Sequence, residues 1–197
     1  MSESATSLRE QKRWETSQRI TVCAQVLTDT QGLDGFTMDE LADAAEVSRR
    51  TLFNYFPSKT DAVLGEHPEI SPSVLATFHA GGPHGDLLED LAVLARYALA
   101  AKTTDREYLS RVRRIMADNP RLMAAAHERF EAITEEFTQL LVEREGADFG
   151  PVRSRLILRM LLALFDSALF ELLGEDENRT LVEIFDDLLR YARELFA

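Results

Sequence analysis

The chain has 197 residues, with 22 Lys and Arg against 34 Asp and Glu, and its net charge of −12 argues, at whole-chain scale, against a nucleic-acid binder. Its length supports one large or two small domains whose core needs no disulfide or metal, and 45% apolar with 28% charged residues is a folded, globular composition. One cysteine, Cys23, excludes an internal disulfide framework and a cysteine-based zinc site and points to a reducing, cytoplasmic location.

Glycine and proline punctuate the chain, and between them apolar residues recur every three to four positions, while strand-like alternation is scarce; the expected class is all-α. Helices are expected at roughly 8–31, 38–45, 49–56, 58–66, 86–102, 105–117, 120–145, 152–173 and 178–196. The stretch His67 to Gly85 reads as loop, linker or a short extra helix. The start of the chain lacks the apolar core of a secretory signal, and the stretch Leu156 to Leu173 is interrupted by Arg159, Asp166 and Glu171, so no membrane-inserted segment is expected.

The first helix opens on Arg9, Lys12, Arg13 and Arg19, a basic arm that either reaches a flanking phosphate or minor groove or frays as a terminus. Next, Thr37-Met38-Asp39-Glu40 has the form of a capping box, in which hydroxyl and carboxylate each take the other residue's amide. Glu46-Val47-Ser48 then makes a short turn, with Val47 inward and Ser48 as N-cap of the following helix. That helix buries Leu52 and Phe56 and leaves Arg49, Arg50, Asn54 and Tyr55 outside, the layout of a helix-turn-helix. Arginine can donate two parallel bonds to guanine and asparagine can pair with adenine, while hydroxyls and lysine hold phosphates. Residues 48–59, SRRTLFNYFPSK, supply all these types and no acid.

The run FTMDELADAAEVSRRTLFNYFPSKTDAV resembles the DNA-binding signature of TetR-family bacterial transcriptional regulators, and ITVCAQVLTDTQGLDGF before it is similar to their first helix. The resemblance is specific over 19–64 and looser over the rest. It implies that Arg49, Arg50, Phe53 and Asn54 face base edges and that Thr37, Thr51, Tyr55 and Lys59 contact phosphates. Two departures stand out: Glu46 replaces the usual turn glycine, which predicts a left-handed non-glycine residue at a cost of ~1 kcal/mol, and Phe53 stands where tyrosine is common. The implied organisation is a helix-turn-helix domain over 1–64 and a helical ligand-binding and dimerisation domain over 65–197.

In the later helices, Leu156, Met160, Leu164, Phe165, Leu169, Phe185, Leu188 and Leu189 form apolar faces so wide that partners are needed on two sides. The expectation is a homodimer built on these residues, with a buried hairpin in a monomer as the alternative. The helices from 86 to 145 are expected to enclose a cavity with Leu94, Tyr97, Tyr108, Val112, Arg113, Met116, His127 and Phe130 as candidate pocket residues. RVRRIMADNPRLMAAAHERFEAI resembles the TetR branch that takes long-chain acyl-coenzyme A, although Ala124 and Ala125 fall where arginine is frequent there.

His67, His79, His84 and His127 lack metal-ligand spacing, and neither a phosphate loop nor a nucleophile motif is present, so an all-helical enzyme is not expected, nor a cofactor. The expected function is a repressor that binds a palindromic operator as a homodimer and is released by a small-molecule effector such as a fatty acyl-coenzyme A; the alternative is a helix-turn-helix protein acting through a protein partner. Charge read by segment removes the opening objection. Residues 1–59 hold seven bases and nine acids, whereas Arg49 to Lys59 holds three bases and no acid: a local cationic patch on an acidic protein.

Overall fold

Runs free of glycine and proline become helices in the computed structural model, which describes residues 2–66, 70–100, 106–173 and 179–196, without the side chains of 2–10, 98, 100, 106 and 196. The side chain of Arg9, the residues His67 and Gly174, and the side chain of Phe196 thus lie outside the described residues. Ten helices are described: α1 (Ser2–Gln31), α2 (Met38–Ala44), α3 (Arg49–Tyr55), α4 (Lys59–Leu64), α5 (Pro72–His79), α6 (Leu87–Ala100), α7 (Arg106–Asp118), α8 (Pro120–Glu145), α9 (Gly150–Leu172) and α10 (Leu181–Phe196). No strand occurs among the described residues, and the chain is an all-α protein with an N-terminal helix-turn-helix and a helical C-terminal body. Helix α5 resolves the ambiguous 67–85 stretch: Pro72 occupies its first turn, where a missing amide hydrogen costs nothing.

Two units are present, Met1–His67 with Arg111–His127 and Pro68–Ser110 with Glu128–Ala197. A division at 64/65 would assign 111–127 to the second. Instead Ile115 and Leu122 are buried with Ile20, Ala24, Phe36, Leu41, Leu52, Phe56 and Val63 in the core of the first, so this stretch completes the apolar packing of the N-terminal helices. In that unit the Gln25 side-chain amide donates to the Val63 carbonyl at 3.0 Å, joining α1 to α4. After α1 the chain turns on Gly32 at φ 77, and at Gly35 a Cβ would sit 2.1 Å from the Gln31 carbonyl oxygen, so only glycine closes this loop.

The second unit has two apolar clusters, one around Ala168, Leu172, Leu181, Ile184, Phe185 and Leu189, the other around Phe78, Leu91, Leu94 and Leu141. Beside the latter, Asp90 of α6 and Arg144 of α8 form an ion pair with side chains only 0% and 3% exposed. The His84 amide donates to the same carboxylate at 2.7 Å, and the guanidinium lies 4.3 Å from the Phe78 ring centre. Burial raises the Asp90 carboxyl, but the amide and the guanidinium outweigh it and hold the group below its ordinary value. No helix among the described residues is long and apolar enough to cross a membrane.

Candidate nucleic-acid interface

Short helices persist only if their ends are satisfied, and here they are. At the start of α2 the Thr37 amide donates to Glu40 Oε2 at 2.7 Å, and the Glu40 amide donates to Thr37 Oγ1 at 3.2 Å, completing the expected capping box. These bonds, the Thr37 amide first, hold the Glu40 carboxyl below its ordinary value. Ser48 caps α3 by accepting the Thr51 amide at 3.0 Å, and its hydroxyl lies 2.7 Å from that of Thr51. Between the helices, the Val47 amide donates to the Ala42 carbonyl at 3.0 Å, and Glu46 sits at φ 52, the left-handed conformation expected for the missing turn glycine. Arg19, at the end of the basic arm that was expected either to reach DNA or to fray, donates from Nε to the Ala45 carbonyl at 3.0 Å and so braces this turn.

Leu52 and Phe56 anchor α3 in the core. The opposite face presents Arg49, Arg50, Phe53 and Asn54, all exposed and grouped by helical spacing. Arg49 is not loose: Nη1 donates to Asp39 Oδ2 at 2.9 Å, and the guanidinium carbon lies 5.6 Å from the Phe53 ring centre. Asp39 was not singled out in the sequence, because a contact between surface residues ten positions apart has no periodic signature.

Of the expected phosphate contacts, Thr51 and Tyr55 are half-buried at the edge of this face, and Arg13 stacks 5.2 Å from the Tyr55 ring centre. Lys59 directs Nζ to the Phe36 carbonyl at 2.7 Å, which uses one of three ammonium donors. Thr37 differs from expectation. Its amide and its hydroxyl, at 2.7 and 2.9 Å, both donate to Glu40, so it has no donor to offer a phosphate while the capping box is closed.

Residues 23–64 match the family described as bacterial regulatory proteins, tetR family. This stretch of the chain is similar to the DNA-binding domain of that family. It is 27% identical over 171 residues to the nucleoid occlusion factor SlmA of Vibrio campbellii, covering 83% of this chain and 86% of that protein. Against the HTH-type transcriptional regulator TcmR of Streptomyces glaucescens the identity is 26% over 164 residues, 80% of this chain and 73% of the other. Among solved structures it is similar to Thermus thermophilus FadR, a TetR-family transcriptional repressor in complex with lauroyl-CoA, at 24% identity, 90% and 93% coverage of the two chains and a TM-score of 0.33.

Of the expected pocket residues, Val112, Arg113, Met116 and His127 belong to the first unit and Leu94, Tyr97, Tyr108 and Phe130 to the second. Met116 packs on the core of the first unit, Tyr108 on the cluster around Phe185, and Leu94 inside the cluster around Phe78; Tyr97, Arg113 and His127 are exposed, and Val112 and Phe130 half-buried. Leu94 also lines an open cleft of about 230 Å³ with Val74, Phe78, Val93 and Asp90, smaller than the roughly 300–1,000 Å³ usual for ligand pockets. The expected interface residues divide as well. Leu156 and Met160 are exposed and Leu164, Phe165, Leu169 and Leu188 half-buried, but Phe185 and Leu189 are only 1% and 5% exposed. Those two are core of the single chain and have no surface left for a partner.

Proposed function

We propose that this regulator binds operator DNA through the exposed face of α3 and acts as a homodimeric, effector-released repressor. The observation that carries the first part is that one short helix, capped at its start by Ser48, has Arg49, Arg50, Phe53 and Asn54 on its solvent face, the arginines and asparagine being donors matched to guanine and adenine edges, while its other face is locked in the core. Thr51, Tyr55 and Lys59 flank that face and serve the phosphates; Thr37 joins them only by releasing Glu40. The work of such a protein lies with chromosomal DNA, in the cytoplasm.

The dimer is supported by the second unit. Along α9, Val152, Leu156, Met160 and Phe170 are exposed, and on α10 Tyr191 and Leu195 add to the apolar surface, more than scattered single residues leave on a monomer. Two copies would place two α3 helices on a palindromic site, since a single short helix reads too few bases. The effector is proposed to be lipophilic with an anionic head, such as a long-chain acyl-coenzyme A, taken up by the C-terminal helical domain. The described cleft of about 230 Å³ beside Leu94 is too small for such a molecule.

A second reading, action on DNA through a protein partner, is favoured by the likeness to proteins named nucleoid occlusion factor. Selection of duplexes from a randomised pool, followed by titration of palmitoyl-coenzyme A into the complex, tests both. An inverted-repeat site released by the ligand supports the repressor; a site that resists every lipophilic ligand favours the partner reading.

A further inference from the structure

Arg49 stands out among the basic residues of α3 because two neighbours fix it. Its Nη1 donates to Asp39 Oδ2 at 2.9 Å, and one guanidinium face lies toward the Phe53 ring, 5.6 Å from its centre. A guanidinium has five donors in a planar fork, and this contact uses a single nitrogen. The edge formed by Nε and Nη2 remains for two parallel bonds. The same chain shows what that edge does: Arg114 uses Nε and Nη2, at 2.9 and 2.8 Å, to hold both oxygens of Asp29. Guanine O6 and N7 offer a comparable pair of acceptors.

An acid on the DNA-facing side of α2 is otherwise hard to account for, since an unpaired carboxylate repels phosphates. Paired with Arg49 it cancels one positive charge yet limits the rotamers of a flexible side chain, which trades sequence-independent attraction for orientation. We propose that Asp39 is the positioning residue that orients Arg49 for guanine, and so sets base specificity at one operator position. This rests on the reading of α3 as the helix that contacts DNA. Because the side chains of Arg49 and Asp39 are 67% and 59% exposed, the pair is a weak, solvent-screened one, and its removal is expected to lower the base preference by up to about fivefold.

The test uses the full chain. Duplexes are selected from a randomised pool with the wild type, and Arg49→Ala identifies the position whose preference depends on that side chain. Asp39→Asn is expected to lower the preference at that same position by up to about fivefold, to raise affinity for random duplex by removing a negative charge, and to have no effect on base preference in the Arg49→Ala background. Asp39→Glu is expected to restore part of the preference. An Asp39→Asn protein that keeps the wild-type preference, or whose effect persists without Arg49, overturns the proposal and leaves DNA binding by α3 intact. A wild type that selects no sequence overturns the DNA reading as well, so the two failures are distinguishable.

Discussion

Arg114 of α7 holds Asp29 near the end of α1 with two parallel bonds, Nε to Oδ1 at 2.9 Å and Nη2 to Oδ2 at 2.8 Å. The hydrogen bond from Arg114 is the main reason the Asp29 carboxyl is held below its ordinary value. A depressed carboxyl contributes stability that is fully present above the unfolded-state value, about 3.9 for Asp, and lost as pH falls through the lower folded-state value. The thermal midpoint is therefore expected to fall on acidification below about pH 4, and less steeply in Asp29→Asn, whose site cannot titrate. Identical pH profiles for the two proteins would show that this pair adds nothing to stability.

Glu46 occupies φ 52 in the turn of the helix-turn-helix, a conformation that a residue with a Cβ adopts at a cost. Glu46→Gly is expected to stabilise the chain by roughly 1 kcal/mol or less, because the relief of strain is partly offset by the greater freedom of glycine when unfolded. Urea unfolding reads the difference; a loss of stability would mean that the Glu46 side chain contributes more than its backbone strain costs.

Asp90 and Arg144 are buried together, so removing one partner leaves the other charged and desolvated. Asp90→Asn is expected to cost about 3–5 kcal/mol in urea unfolding. Replacing both, Asp90→Leu with Arg144→Met, is expected to cost less than the single change, since the paired charges are themselves expensive to bury. A single-variant loss under about 1 kcal/mol would place this pair among solvent-screened ones.

The apolar face of α9 makes an assembly prediction. Leu156, 58% exposed, and Phe170, 60% exposed, lie on surface that a dimer would cover. Leu156→Glu with Phe170→Glu is expected to yield a monomer by sedimentation while retaining its helical content, because neither side chain belongs to the single-chain core. A wild type that sediments as a monomer removes the dimer from the account.

What the sequence makes legible is what local rules decide. The capping box at Thr37 and Glu40, the Ser48 cap and the strained turn at Glu46 each depend on residues within four positions, and each is where the local pattern puts it. Long-range choices were not legible. Ile115 and Leu122 have the same spacing whichever core they join, and Phe185 and Leu189 have the same spacing whether they face a partner or their own chain. On α10, Phe185 and Leu189, expected at a dimer interface, are core of the single chain, while Leu188 is half-buried. Lys59 on the Phe36 carbonyl and Asp39 on Arg49 are contacts between separate helices or loops, and residue type alone cannot specify them.

Base recognition by the exposed face of α3 is reached most directly by one measurement. Fluorescence anisotropy of the full chain on its selected duplex and on a scrambled duplex, for wild type and Arg49→Ala, gives the ratio of specific to non-specific affinity. The expected result is a tight, salt-sensitive wild-type complex and a variant whose specific affinity falls by about 1–3 kcal/mol while its affinity for the scrambled duplex changes far less. A wild type that binds both duplexes equally, or an Arg49→Ala protein that binds the selected duplex as well as the wild type, would contradict it.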